Sequence, residues 1–147
     1  MSERAGCLAG EIIPLFRPVE DKWPVTAKFG QVNPILWPKT HRGIDYGVPE
    51  GSDVYAALDG EVQIAGNDPK GFLGLRVWIV SDKEDVRHLY AHNSKLLVEV
   101  GRKVQQGELI AYSGATGVNR AGKPVPAHLH FEVRRLKDDE PIQPIFA

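Results

Sequence analysis

The sequence predicts a mainly β protein of one domain, built on an antiparallel sheet. Its 147 residues suit a single domain with a real hydrophobic core. The 15 glycines and 11 prolines supply many turns, hence many short strands. No segment holds a helical period over ten or more residues, whereas short β-branched and aromatic runs recur between turn signals.

In chain order, residues 1–21 read as an irregular N-terminal arm and residues 22–147 as the domain. "DVYAAL" (53–58) and "GEVQIAG" (60–66) are strands, with Asp59-Gly60 as a hairpin turn between them. "GLRVWIVS" (74–81) is a further strand, and "SDKED" a turn into "VRHLYAH" (86–92). "KLLVEVGRKVQQGELIAYSG" (95–114) can be misread as a helix. Gly101 and Gly107 interrupt any 3.6-residue period there, and the β-branched content favours strand, turn, strand. "HLHFEVRR" (128–135) closes the core.

Composition narrows the function classes. The chain is 42% hydrophobic and 25% charged, ordinary for a soluble globular protein. Eighteen basic residues against nineteen acidic ones leave a net charge of −1, so nothing pulls it electrostatically toward nucleic acid or an anionic membrane. Cys7 is the single cysteine, which rules out an internal disulfide framework. It has no partner pattern and stays outside the candidate site. The opening "MSERAGCLAGEIIPLFRP" holds only a short apolar run, broken by Glu11 and Pro14. That is shorter than a signal-peptide core of ~7–15 residues and far too short to span a bilayer. The expectation is a soluble monomer with no signal peptide and no membrane insertion.

The chemistry concentrates in the histidines, His41, His88, His92, His128 and His130. Alternate strand residues share a face. In "AHLHFEV", His128, His130 and Glu132 therefore lie on one face, and Leu129, Phe131 and Val133 on the other. The same rule places His88, Tyr90 and His92 together. "HRGID" adds His41 and Asp45 from one turn, with Gly43 available for an unusual backbone angle. Imidazoles and a carboxylate suit zinc, and three protein ligands with an open position mark a catalytic rather than a structural site. A third ligand from another strand would complete a His/His/Asp set. The remaining imidazoles could then deprotonate a water or stabilise an oxyanion. Spacing alone leaves open which of His128 and His130 binds the metal. An HxH pair by itself is often mere strand polarity, and HxxxD occurs by chance; the weight lies in their combination.

Competing patterns are absent from the sequence. It has no HExxH, no CxxC pair, no P-loop, no GxGxxG leading into a helix and no GxSxG elbow.

The runs "HRGIDYGVPEGSDVYAALDGEV", "HLYAH", "VGRKVQQGELIAYSGATG" and "HLHFEVRR", in that order, resemble the lysostaphin/LytM-type zinc endopeptidases that cut peptidoglycan peptides. The resemblance covers about residues 29–144. It implies an antiparallel core of the duplicated hybrid type, shared with sugar-phosphotransferase IIA-like domains. It also implies His41, Asp45 and His130 as Zn2+ ligands, with His92 and His128 as the catalytic pair beside them. Three departures stand out. Asn93 follows "YAH" where leucine is usual. His88, where a small or hydroxyl residue is common, is a candidate lining of the groove with no assigned role. The loop "GATGVNRAGKPVPAH" is long, which bears on one groove wall.

The implied function is a zinc metalloendopeptidase acting on peptidoglycan peptides at the bacterial cell wall, in the periplasm, outside the cell or delivered by phage. A non-catalytic activator or scaffold of wall hydrolases is one rival, but such members are expected to lose ligands that this chain keeps. A IIA-like phosphocarrier needs facing histidines and no metal aspartate. A zinc D-Ala-D-Ala carboxypeptidase has a wider His-to-Asp spacing.

Overall fold

The computed structural model describes residues 13–33 and 37–146. Among them the chain is nearly all β, and the one helical turn is a 3-10 turn at Asp82–Glu84, inside the expected "SDKED" turn. The strands are β1 (Val25–Ala27), β2 (Val32–Asn33), β3 (Trp37–Thr40), β4 (Ile44–Tyr46), β5 (Asp53–Tyr55) and β6 (Gly60–Asn67). They continue with β7 (Leu75–Ser81), β8 (Val86–Leu96), β9 (Lys103–Val104), β10 (Leu109–Ser113), β11 (Leu129–Arg135) and β12 (Pro141–Ile142).

The main sheet runs β1-β4-β11-β8-β7-β6-β9, and every pairing in it is antiparallel. β10 pairs with both β5 and the end of β8, and β12 flanks β11. β2 and β3 form a separate hairpin between β1 and β4.

Alternation explains why β11 is central. Leu129, Phe131 and Val133 are buried in the main core beside Val77, Ile79, Val86 and Tyr90. Burying an aromatic or branched aliphatic side chain of this kind contributes about 1.5–3 kcal/mol. The opposite face carries His130, Glu132 and Arg134, paired across the sheet with Ala91, Leu89 and Arg87 of β8. A smaller apolar cluster of Trp78, Leu89 and Ala91 lines that second face.

One local expectation is overturned. The segments around Asp59-Gly60 do not pair as a hairpin: β5 joins β10, whereas β6 joins β7 and β9. A type I′ turn needs glycine at positive φ, and Gly60 is outside the positive-φ set. It is tight for another reason, because a Cβ there would meet the Val80 carbonyl oxygen at 2.5 Å and Ile79 Cγ2 at 2.6 Å. Buried Ala56, Ala57 and Leu58 carry the chain through the core between the two strands. The 95–114 stretch is β and not helical, as expected, but it holds three strand segments rather than two: the end of β8, then β9 and β10.

Residues ahead of the first strand pack onto the same core. Ile13, Leu15 and Val19 are buried, Leu15 bridges to Phe146, and the Phe16 N–H donates to the Ala57 carbonyl at 2.9 Å. Cys7 lies outside the described residues.

Candidate metal centre

β4 and β11 are hydrogen-bonded neighbours whose register sets His130 directly opposite Asp45. That register brings His130 Nδ1 to 2.7 Å from Asp45 Oδ1. His41, one turn ahead of Asp45, places Nε2 at 3.4 Å from the same oxygen. Its backbone is held by Gln31, whose carbonyl accepts the His41 N–H at 2.8 Å, and its Nδ1–H donates to the Lys28 carbonyl at 3.1 Å. One ligand atom from each of His41, Asp45 and His130 falls within 4.8 Å of the others. Two imidazole nitrogens and one carboxylate oxygen converging this closely suit a borderline cation such as zinc.

The electrostatics of the cluster fit the same description. Burial works to raise the Asp45 carboxyl, but hydrogen bonds from His130 and His41 outweigh it and hold the group well below the usual carboxylate range. Burial works against a charge on His130, yet its bonds to Asp45 and Glu132 raise its pKa to about 10. Two carboxylates flank one ring, so positive charge is favoured between His130 and Asp45. A proton satisfies that demand, and a metal ion satisfies it by displacing the proton.

His92 and His128 stand beside this cluster, ring centroids 4.5 Å apart, with His128 Nε2 at 4.0 Å from Asp45 Oδ1. Each holds its Nδ1–H on a backbone carbonyl at 2.7 Å, Thr116 for His92 and Pro126 for His128. A carbonyl only accepts, so in the neutral form of either ring Nε2 is the nitrogen with the free lone pair. Burial, helped by the neighbouring His128, lowers the His92 pKa to about 4.

Strict alternation does not deliver His92 to this face. It predicts His92 beside His88 and Tyr90, which point into the main core. The structure breaks the rule at His92 itself, whose φ of 68° is left-handed. β8 changes partner at this residue, from β11 before it to β10 after it. Asn93, the departure from the usual leucine, serves the bend. Its Nδ2 donates to the Leu75 carbonyl at 3.0 Å and to the Tyr90 carbonyl at 2.9 Å.

His88 does not line a groove; it is fully buried in the core. Its Nε2 lies 2.8 Å from Ser81 Oγ and its Nδ1 2.6 Å from the Tyr90 hydroxyl. Gly43 is likewise corrected. Its φ is not positive, but a Cβ there would sit 2.2 Å from the Phe131 carbonyl oxygen. Glycine is required for the approach of β4 to β11, not for an unusual angle. Glu132 was visible by alternation on the face of His128 and His130, without an assigned task. In the structure its Oε2 accepts from His130 Nε2 at 2.7 Å.

Comparison with known proteins gives the cluster a family. The model of "Peptidase family M23" matches residues 39–144, which include all five residues of the cluster and its flank. Among curated relatives, the peptidoglycan DD-endopeptidase ShyA of Vibrio cholerae is 34% identical over 119 residues, 79% of this chain and 26% of its own length. The murein hydrolase activator NlpD of Salmonella typhimurium is 35% identical over 94 residues, 64% of this chain and 23% of its own. The chain thus spans about a quarter of the length of either. Among solved structures, a zinc-containing peptidase from Vibrio cholerae superposes with a TM-score of 0.74 at 28% identity, covering 90% of this chain and 39% of that one. The catalytic domain of lysostaphin from Staphylococcus simulans gives 0.72 at 25% identity, covering 84% and 90%. With most of its length matched by the family model and its sheet shared with peptidases of that family, the chain belongs to peptidase family M23.

Proposed function

We propose that the chain is a zinc-dependent endopeptidase that hydrolyses peptide cross-links or stem peptides of bacterial peptidoglycan. His41, Asp45 and His130 hold the metal, and His92 and His128 are the catalytic residues beside it. Residues 22–147 form the peptidase domain and residues 1–21 an arm, whose Ile13, Leu15 and Val19 pack into the domain's core. The observation that carries this reading is the convergence of three donor atoms within 4.8 Å, with two further imidazoles on one flank. Similarity to the peptidoglycan DD-endopeptidase ShyA and to the zinc-containing peptidase supports the substrate class and the metal. Action at the cell wall follows from that substrate class, and a monomeric state is a separate part of the proposal. No helix among the described residues is long and apolar enough to cross a membrane.

Bound at this centre, zinc supplies a Lewis acid that polarises a peptide carbonyl and lowers the pKa of an attacking water toward ~7. The protein's own residues supply the rest. With Nδ1–H committed to a backbone carbonyl, His92 and His128 each offer Nε2 to a proton. One takes the proton of the attacking water and returns it to the leaving amine. The imidazolium so formed donates to the oxyanion on the former carbonyl oxygen before its proton passes to the amine, while the second Nε2 accepts a hydrogen bond from the attacking water and orients it.

The test is digestion of purified muropeptides, with products weighed by mass spectrometry. Zinc-loaded protein should cleave, and chelator-stripped protein or His130→Ala should not. Full activity in a zinc-free preparation would overturn the mechanism. The likeness to NlpD favours a second reading, activation of other wall hydrolases. Cleavage by the purified chain alone decides against it, and stimulation of a partner hydrolase without cleavage decides for it.

A further inference from the structure

Four imidazoles meet at this centre, and one is held differently from the rest. His41, His92 and His128 each turn Nδ1 to a backbone carbonyl. His130 is reversed. Its Nδ1 faces Asp45, and its Nε2 faces Glu132 Oε2 at 2.7 Å. Both partners are carboxylates that only accept, so each nitrogen holds a hydrogen until a metal takes its place on Nδ1, and the hydrogen that then remains is the one on Nε2, held by Glu132.

Glu132 is itself fastened. It is 4% exposed, and its second oxygen, Oε1, accepts the Nε–H of Arg134 at 2.8 Å. Arg134 Nη1 in turn donates to Asp139 Oδ2 at 2.9 Å, and Asp139 Oδ1 accepts from Arg87 Nε at 2.9 Å. The two guanidinium groups lie 3.9 Å (Arg87) and 5.3 Å (Arg134) from the ring centre of Trp78. A buried carboxylate is costly unless its charge is met. Here one oxygen is met from behind by arginine, and the other is aimed at a histidine of the metal cluster.

We propose that Glu132 is the positioning residue of the metal centre, fixing His130 in the tautomer and ring orientation that present Nδ1 to zinc. The proposal rests on His130 being a metal ligand. A carboxylate on the far nitrogen also raises the basicity of the donating one, and loss of such a partner typically weakens metal binding 10–100-fold. The backbone carbonyls that face Nδ1 of the other three rings carry no full charge, whereas the acceptor behind His130 is a carboxylate.

Glu132→Gln is the informative variant because it preserves size. Both neighbours, His130 Nε2–H and Arg134 Nε–H, are donors, and an amide has a single oxygen for them. If the oxygen serves Arg134, the amide N–H faces His130, which must move its hydrogen to Nδ1 and lose its metal-facing lone pair.

Zinc affinity is measured by chelator competition on wild type and Glu132→Gln, with thermal melting of the metal-free proteins as the folding check. The expected result is one zinc per wild-type chain and binding about 10–100-fold weaker in the variant. Affinity within twofold of wild type would overturn the role of Glu132 and leave the metal centre standing. Absence of zinc binding in wild type would overturn the metal-centre reading, and this one with it. Nitrogen NMR of the zinc-loaded wild type needs no variant to fold. It should show His130 protonated at Nε2 with Nδ1 on the metal; the opposite tautomer refutes the proposal.

Discussion

His88 and His92 stand four residues apart in β8 and end on opposite faces of the sheet. The proton bookkeeping around His88 has one consistent solution. Ser81 Oγ–H donates to the Asp59 carbonyl at 2.5 Å, so Ser81 accepts from His88 Nε2–H. His88 Nδ1 then accepts from the Tyr90 hydroxyl, which itself accepts the Ala57 N–H at 2.8 Å. Every member is satisfied with His88 neutral, and burial lowers its pKa from 6.5 to about 3. The unfolded chain therefore binds a proton here that the folded chain refuses. Stability from this group is complete above the unfolded value of 6.5 and is lost as pH falls toward 3, at about 1.4 kcal/mol per pH unit. Urea midpoints taken from pH 7 to pH 4.5 should fall in wild type and fall less in His88→Leu. That variant should start about 1–3 kcal/mol less stable, because Ser81 and Tyr90 lose a buried partner. In the metal cluster, His92→Ala and His128→Ala should each retain zinc while cutting turnover about 10²–10⁴-fold. His130→Ala should lose the metal itself, and metal analysis of the three variants separates the roles.

At the scale of elements, the centre depends on how closely β4 lies against β11. A Cβ on Gly43 would collide with the Phe131 carbonyl oxygen and stand 2.8 Å from Glu132 Cγ. Gly43→Ala should push β4 outward and draw Asp45 away from His130. The expected cost is about 1–3 kcal/mol of stability, read by denaturation. Weaker zinc binding should accompany it, read by chelator competition, and unchanged affinity would show that β4 tolerates the shift. The second decisive element is the bend in β8. A left-handed non-glycine residue carries strain of about 1–3 kcal/mol, which the surroundings must over-determine. They do so by donation of the His92 N–H to the Leu73 carbonyl at 2.8 Å, by Asn93 on two carbonyls, and by Thr116 Oγ1 on the Asn93 carbonyl at 2.7 Å.

For the whole molecule, the segment ahead of the sheet belongs to the energetics of the domain. Leu15 is 4% exposed, and Gln106 Nε2 donates to the Pro14 carbonyl at 2.8 Å across a separation of 92 residues. Leu15→Ala should destabilise by about 2–5 kcal/mol in chemical denaturation, with zinc stoichiometry unchanged. The same global packing places the cluster at a junction of β4, β11 and the β8 bend, elements far apart in sequence. Each brings one or two of its polar residues there, and the sheet beneath holds them in place.

The sequence alone determined the β class, the buried face of β11 and the pairing of His128 with His130, because each follows from a period of two along a single strand. Motif order then marked His41, Asp45, His92, His128 and His130 as one set. Other features were decided only by tertiary structure. Whether DVYAAL pairs with its successor or with β10 depends on competition between distant strands, which local turn residues do not encode. His92 reaches the cluster through a positive φ, which histidine adopts more readily than most residues but which the local sequence does not require. The task of Glu132 became visible only once Arg134 was seen behind it and His130 ahead, since a buried charge takes its meaning from both neighbours.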